Sequence, residues 1–448
     1  MSPAADRKRA YDLSLSALKR SSSFAPAFTS LGIYYADHQS PADPVRASRC
    51  FERAFELDPR EGEAARRLAD QFADDQAWEL VEIVAKRTIE GEGGLEGGLA
   101  AAGGEREKEA KGRFLVENVW AWKALGAVEL TRSSYAKAIH HFQIALRSDP
   151  KDISSWLRLS EAYARSGKQA AALKTLSRAL VLEPDNWLVT FMIGDVQTQL
   201  GVHSEAIKCF QDVLVARPTE LGVLVALARS LLSLAQEEAS AGYHVRAEAS
   251  LLESVEQVGK ILEVKIGFRA LAWKHVGDVC VQLAHLAFSF SAEAVSAALS
   301  PFVKTLVSED QNGVSTLVDV VSARQLLSAK GPADAAYVLR LAVAAYTYRR
   351  HLLVGDEVAG AVASHDLAVA LHHLAGVLPE SDGSAKQACV REATGAIKSA
   401  LRVQPRNEQL WITLGTLSFE SSARLSQHAF VMALEINPKV RLSRSTDM

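Results

Sequence analysis

An all-α solenoid of helical hairpins is the fold this sequence predicts, and three observations predict it. The first is a single stretch, "WAWKALGAVELTRSSYAKAIHHFQIALRSDP" at residues 120–150, where Trp122, Gly126, Ala138 and Phe142 are spaced by 4, 12 and 4. Steps of four keep side chains on one helix face. Folding the stretch back about residue 132, in the polar "TRSS", would bring Trp122 opposite Phe142 and Gly126 opposite Ala138. The second observation is recurrence: 34 residues on stand Trp156, Ser160, Ala172 and Leu176, and 34 further on Thr190, Gly194, Ala206 and Phe210. The third is Pro150, Pro184 and Pro218 at the same interval. Proline disfavours helix in the residue before it, so each one marks the end of a unit.

The totals agree with a long helical array. The chain has 448 residues, 48% of them hydrophobic, with 50 basic against 53 acidic side chains and a net charge of -3. Length alone suggests about three domains, but a fixed period overrides that prior, because stacked hairpins bury their faces against neighbours. Near-neutral charge gives no global attraction for nucleic acid or anionic lipid. No apolar run reaches membrane-spanning length and none forms a signal-peptide core. Cys50, Cys209, Cys280 and Cys389 form no CxxC pair, the usage of reduced thiols in a cytoplasmic or nuclear protein.

Taken in order, residues 1–90 hold N-terminal hairpin units. Ala10 and Ala17 fit the second helix of a unit whose first helix is missing, "LGIYY" (31–35) leads to Ala47, Phe51, Ala54 and Pro59, and another unit lies near 62–90. The Gly/Glu-rich stretch 91–118, including "GEGGLEGGLAAAGGEREKEAKG" (91–112), reads as a loop. It lacks both GxGxxG and GxxxxGK[ST], and no strand precedes it, so it cannot cradle phosphate. Residues 119–220 are three regular units, and 221–282 are units with lengthened helices, in 221–265 the second helix, with the next unit opening at Trp273 and Gly277. Residues 283–392 read as irregular helical repeats with loops at 308–315, 329–334 and 379–385. At 393–438, Ala393, Ile397, Ala400 and Pro405 form a second helix, and "WITLG" (411–415) leads to Phe430, Ala433 and Pro438. Residues 439–448 are a polar tail. The array begins and stops in mid-unit, as expected of a segment of a longer protein or a truncated gene model.

The pattern W-x2-L-G-x2-Y followed by A-x3-F-x2-A-x4-P is that of the tetratricopeptide repeat. It is fullest at "WKALGAVE" (122–129) and "WLRLSEAY" (156–163). The family's fold is a right-handed superhelix with an inner groove lined by first helices.

Catalytic chemistry finds no constellation. The sequence has no HExxH, GxSxG, Walker or kinase motif, so no catalytic, cofactor-binding or metal-binding residue is assigned. The pairs His140-His141 and His372-His373 are the best metal candidates. Adjacent helical residues point about 100° apart, and His365 lies two turns from His372, so one ion is not chelated. Trp122, Trp156 and Trp411 take the hairpin-core position, and Asp74-Asp75 and Glu237-Glu238 read as solvated faces. A co-chaperone of this repeat class grips a partner's C-terminal carboxylate with Lys and Asn. Here Lys123 fits that grid, but Ala127 stands where Asn is needed, Arg158 replaces the next Asn, and Phe191 and Asp195 replace basic residues.

Beyond the generic repeat, "FAPAFTSLGIYYAD" (24–37), "RCFERAFELDPREGEAARRLADQFADDQAWELVEIVAKR" (49–87), residues 119–174 and "AWKHVGDVC" (272–280) resemble the tetratricopeptide subunit of the fungal Ski (superkiller) complex. That resemblance implies a non-catalytic cytoplasmic scaffold, compatible also with a nuclear pool. It would hold a DExH-type RNA helicase and a WD-repeat protein that together feed messenger RNA to the exosome for 3′-to-5′ decay and surveillance. It implies no strong RNA binding by the chain itself and no membrane contact. The alternative is a generic adaptor or co-chaperone with partner peptides in its groove.

Overall fold

The computed structural model describes residues 3–59, 61–91, 119–264, 266–311, 333–419 and 421–437. The expected loop over 92–118, the parts of the other loops at 312–315 and 329–332, and the polar tail lie outside the described residues. Every regular element among the described residues is helical. The chain forms two compact units, Met1–Leu200 and Gly201–Met448.

The first unit contains α1 (Pro3–Arg20), α2 (Ala25–Ile33) with a π-helical extension Tyr34–His38, α3 (Pro44–Leu57), α4 (Gly62–Asp74) and α5 (Trp78–Gly91). It continues with α6 (Val119–Thr131), α7 (Tyr135–Ser148), α8 (Ile153–Arg165), α9 (Gln169–Leu182) and α10 (Trp187–Gln199). Helices α2/α3, α4/α5, α6/α7 and α8/α9 pack as successive hairpins. The turn predicted at residue 132 lies between α6 and α7, and its Ser133 adopts φ of +59°. Gly167, 34 residues later, takes φ of +78° at the corresponding turn. Only a residue in the left-handed region closes this tight α–α connection, and glycine enters it without the Cβ penalty.

The expected pairing of Trp122 with Phe142 is corrected by the packing. A Cβ at Gly126 would stand 2.7 Å from the Phe142 ring, so the glycine receives the ring one turn beyond Ala138. Trp122 and Phe142 are both buried but lie in different clusters of the core, Trp122 with Ile89 and Leu125, Phe142 with Ala138 and Leu159. The reason is size: a ring needs a surface with no side chain, and Gly126 is the residue that supplies one. The same contact recurs between Gly32 and Phe51.

Unit joints are equally regular. Asp152 caps α8 by accepting from the Ser155 N–H at 3.0 Å, and Trp156 donates its indole N–H to the Pro150 carbonyl at 3.0 Å. Asn186, two residues after Pro184, caps α10 through the Leu188 N–H at 3.0 Å. A short polar acceptor satisfies an N–H that the first helical turn cannot.

The second unit contains α11 (His203–Ala216), α12 (Leu221–Ser240), α13 (His244–Val264), α14 (Arg269–His285) and α15 (Ala292–Gln311). After them come α16 (Ala335–Leu352), α17 (Glu357–Val377), α18 (Gly383–Val403), α19 (Glu408–Leu417) and α20 (Ala423–Ile436). Both α12 and α13 are lengthened, rather than the second helix alone. Residues 308–311 finish α15 and residues 383–385 open α18, so those parts of the expected loops are helical. The stretch that periodicity left unphased now has a register. Helix α14 pairs with α16, with α15 inserted in their connection and packed on α13 and α16. Helix α17 pairs with α18, and α19 with α20. The glycine–ring contact returns twice, Gly277 against Tyr346 and Gly415 against Phe430. The joint before α19 repeats the earlier one: Asn407 accepts from the Gln409 N–H at 3.1 Å, and Trp411 donates to the Pro405 carbonyl at 2.9 Å.

Gly126→Val should overpack the α6/α7 hairpin and destabilise the first unit by roughly 1–3 kcal/mol. Gly395→Ala, with no atom within 4 Å of the new Cβ, should instead stabilise by about 0.5–1 kcal/mol through helix propensity. Ser133→Gly should raise stability by roughly 1 kcal/mol by removing left-handed strain. Thermal melting of the three variants checks the ordering, and a Gly126→Val midpoint equal to wild type would contradict the hairpin packing.

Candidate protein-interaction surfaces

In the first unit, several polar side chains bond across the connections between helices. Arg67 on α4 makes a bidentate pair with Asp37 of the π-helical turn, at 2.9 and 3.2 Å. The Thr29 hydroxyl donates to Glu61 at 2.9 Å. Glu82 on α5 accepts from Arg132 at 2.5 Å and from Lys86 at 2.6 Å. Together those cations hold its carboxyl below the usual range: the Lys86 bond contributes most, against the opposing effect of burial.

Lys123, the one residue that fits a carboxylate clamp, is paired at 2.8 Å with Asp152, the N-cap of the next repeat. Burial would raise the Asp152 pKa, but Lys123 and the Ser155 and Ser154 donors outweigh it and lower the value. Arg158 pairs with Glu161 at 3.1 Å. A groove of about 480 Å³ is lined by Trp78, Trp120, Arg66, Asp70 and Lys123, and Ala127 presents only a methyl there. Its charges balance, and its lysine already holds a carboxylate. A peptide's terminal carboxylate therefore finds neither an unpaired lysine nor the amide that the clamp needs.

The second unit carries a polar row that sequence reasoning missed, because its members come from helices far apart in the sequence. Lys274 donates to Asp278 at 2.6 Å, and Tyr346 donates to the other oxygen of Asp278 at 2.7 Å. Arg349 pairs with Asp366 across α16 and α17, and His365 lies within 3.1 Å of the Thr413 hydroxyl on α19. Burial opposes ionisation of Asp366, but His365, Lys274 and Arg349 pull its pKa down. Beside this row His275 lies 2.7 Å from the Ser254 hydroxyl, and burial lowers its pKa to about 4.

The histidine pairs do not converge on an ion. His141 stacks near Trp122, with centroids 5.6 Å apart. His373 faces His285 at 5.2 Å and His372 at 6.2 Å, and burial plus those neighbours lower its pKa to about 4. No group of three or more His, Cys, Asp or Glu with metal-holding geometry occurs among the described residues. Trp122 is core, whereas Trp156 and Trp411 are half-buried joint residues. Cys280 and Cys389 are buried, and Cys50 and Cys209 are half-buried. Among the described residues no helix is long and apolar enough to cross a membrane.

The surface also exposes grouped apolar side chains. Tyr243 and Val245 at the α12–α13 turn and Phe288 after α14 are 57%, 77% and 76% exposed, and Phe288 packs edge-on against His244. Val354, Val358 and Val362 are exposed at four-residue spacing on and before α17. Grouped apolar exposure of this kind is characteristic of protein contact surfaces.

Comparison with known proteins agrees with this architecture. The tetratricopeptide-repeat family matches residues 123–186 and 157–220. Superkiller protein 3 of Schizosaccharomyces pombe is 31% identical over 415 residues, 92% of this chain and 28% of that protein. Superkiller protein 3 of Saccharomyces cerevisiae is 23% identical, covering 96% of this chain and 28% of its own length. Tetratricopeptide repeat protein 37 of Xenopus laevis is 26% identical over 96% of this chain and 24% of its own. The chain thus spans about a quarter of the length of these relatives. It is a tetratricopeptide-repeat protein homologous to a segment of Superkiller protein 3.

Two pH effects follow. Asp152 has a lowered folded pKa, so its contribution is present above about pH 4 and is lost as pH falls through the folded value. Asp152→Asn keeps the cap but removes the ion pair, and should flatten this acid limb. His275 and His373 stay neutral in the fold down to about pH 4, whereas unfolded histidine titrates near 6.5. Their contribution is therefore complete above pH 6.5 and declines from there towards pH 4. Melting at pH 7.5 and 5.0 should show a loss that is smaller in His373→Gln; an equal loss would remove His373 from this account.

Proposed function

We propose that this chain is a non-catalytic scaffold segment of a Ski-type complex, holding an RNA helicase and a WD-repeat subunit for exosome-mediated decay of cytoplasmic messenger RNA. The observation that carries the reading is homology to Superkiller protein 3 along 92% of the chain, spanning irregular stretches that a generic repeat would not share. The physical reading is compatible with it. A solenoid whose groove lysine, Lys123, is committed to the neighbouring repeat offers partners shape and apolar rims rather than a carboxylate clamp. Its effect on decay would come from raising the local concentration of two partners and fixing their orientation.

A co-chaperone reading fares worse, because Lys123 is occupied by Asp152 and Ala127 cannot donate. Direct RNA binding is disfavoured by the net charge of -3, which gives little counterion release.

The purified chain should show no ATP turnover and no submicromolar binding to single-stranded RNA at about 150 mM salt, where the Debye length is near 8 Å. Immobilised, it should retain the helicase and WD-repeat subunits from a related fungal lysate, identified by mass spectrometry. Intrinsic ATPase activity or tight RNA binding would overturn the scaffold reading. Retention of chaperones in place of those subunits would favour the adaptor.

A further inference from the structure

Three hairpins place a phenylalanine ring against the glycine of their first helix, whereas the α14/α16 hairpin uses Tyr346 against Gly277. The extra hydroxyl is bonded. It donates at 2.7 Å to Asp278, the residue after that glycine, and Asp278 in turn accepts from Lys274 at 2.6 Å. This is also the hairpin whose helices are joined by a long connection, residues 286–334, where α6 and α7 are joined by 132–134. We propose that Tyr346, Asp278 and Lys274 form a register latch, which gives the interrupted hairpin the alignment that a short turn gives the others.

Three considerations support the latch. A three-residue turn dictates which residues of its helices face each other, and a connection of 49 residues does not. Second, α16 offers little pattern to orient itself. Val338, Leu339 and every residue from Leu341 to Arg349 are buried, so rotation or a one-turn slip exchanges one apolar contact for another. Third, a phenol in such a core discriminates strongly. In the observed register it has an acceptor, and in any other it is buried without one. Burial, reinforced by the Asp278 charge, raises the Tyr346 pKa well above its ordinary value, so the hydroxyl remains a donor throughout the working range. Arg349, three residues on, pairs with Asp366 and ties the same helix to α17.

Tyr346→Phe keeps the ring and removes only the latch. Hydrogen exchange on the full chain should show the opening constant of α14 and α16 rising at least 10-fold, with α6 and α7 unchanged. Asp278→Asn should act similarly, and the double variant should exceed neither single by more than 2-fold. Spin labels at positions 285 and 351, both exposed, should report one distance in the parent chain. In Tyr346→Phe they should add a second population displaced by about one helical turn, ~5 Å. A change in α14/α16 opening below 2-fold, multiplicative effects in the double variant, or an unchanged single distance would each overturn the latch. If Asp278→Asn does not fold, Tyr346→Phe decides alone.

Discussion

Four hairpins of this protein depend on the approach of an aromatic ring to a backbone that carries no side chain. At Gly32, Gly126, Gly277 and Gly415 the ring of the second helix occupies the space a Cβ would need, at 2.5–2.7 Å. The ring fixes the separation and the rotation of the two helices together, and burying it supplies roughly 2–3 kcal/mol of apolar stabilisation per site. Other regularities accompany the regular repeats. A left-handed residue closes the α6/α7 and α8/α9 turns, a proline ends the unit, and an Asp or Asn cap starts α8, α10 and α19.

Repeat-to-repeat stacking adds polar contacts to apolar clusters that run from one hairpin into the next. The polar contacts are Arg67 with Asp37, Lys123 with Asp152, Trp156 and Trp411 with proline carbonyls, and His365 with Thr413. These bonds fix how one hairpin follows another at modest net stabilisation. They also neutralise the surface on which related repeats hold charged peptides. Structure and function meet at Lys123, the one side chain here that fits a carboxylate clamp, because it joins two repeats through Asp152.

Much of this was legible in the sequence, and the physical limits of that reading are specific. The period of 34 and the small–large alternation place α6 to α9 and predict the turn at 132. Periodicity also places Gly32, Phe51, Gly415 and Phe430 in hairpin cores. It misassigned the partner of Phe142, because volume symmetry sets that ring opposite Trp122 while it packs on the bare surface of Gly126. Residues 283–392 were opaque for two reasons: α15 interrupts the hairpin between its helices, and α16 is buried on nearly every side and so shows no amphipathic period. The polar row of Lys274, Asp278, Tyr346, Arg349 and Asp366 joins residues up to 92 positions apart, and no local pattern announces it.

The central claim is that stability resides in successive hairpins and their nearest-neighbour joints. Stretching the chain from its two ends in an optical trap measures this directly. The account predicts stepwise unfolding, with increments from the regular repeats near 34 residues, about 120 Å of contour length. One cooperative event releasing the whole chain, or increments unrelated to the hairpin boundaries, would contradict it.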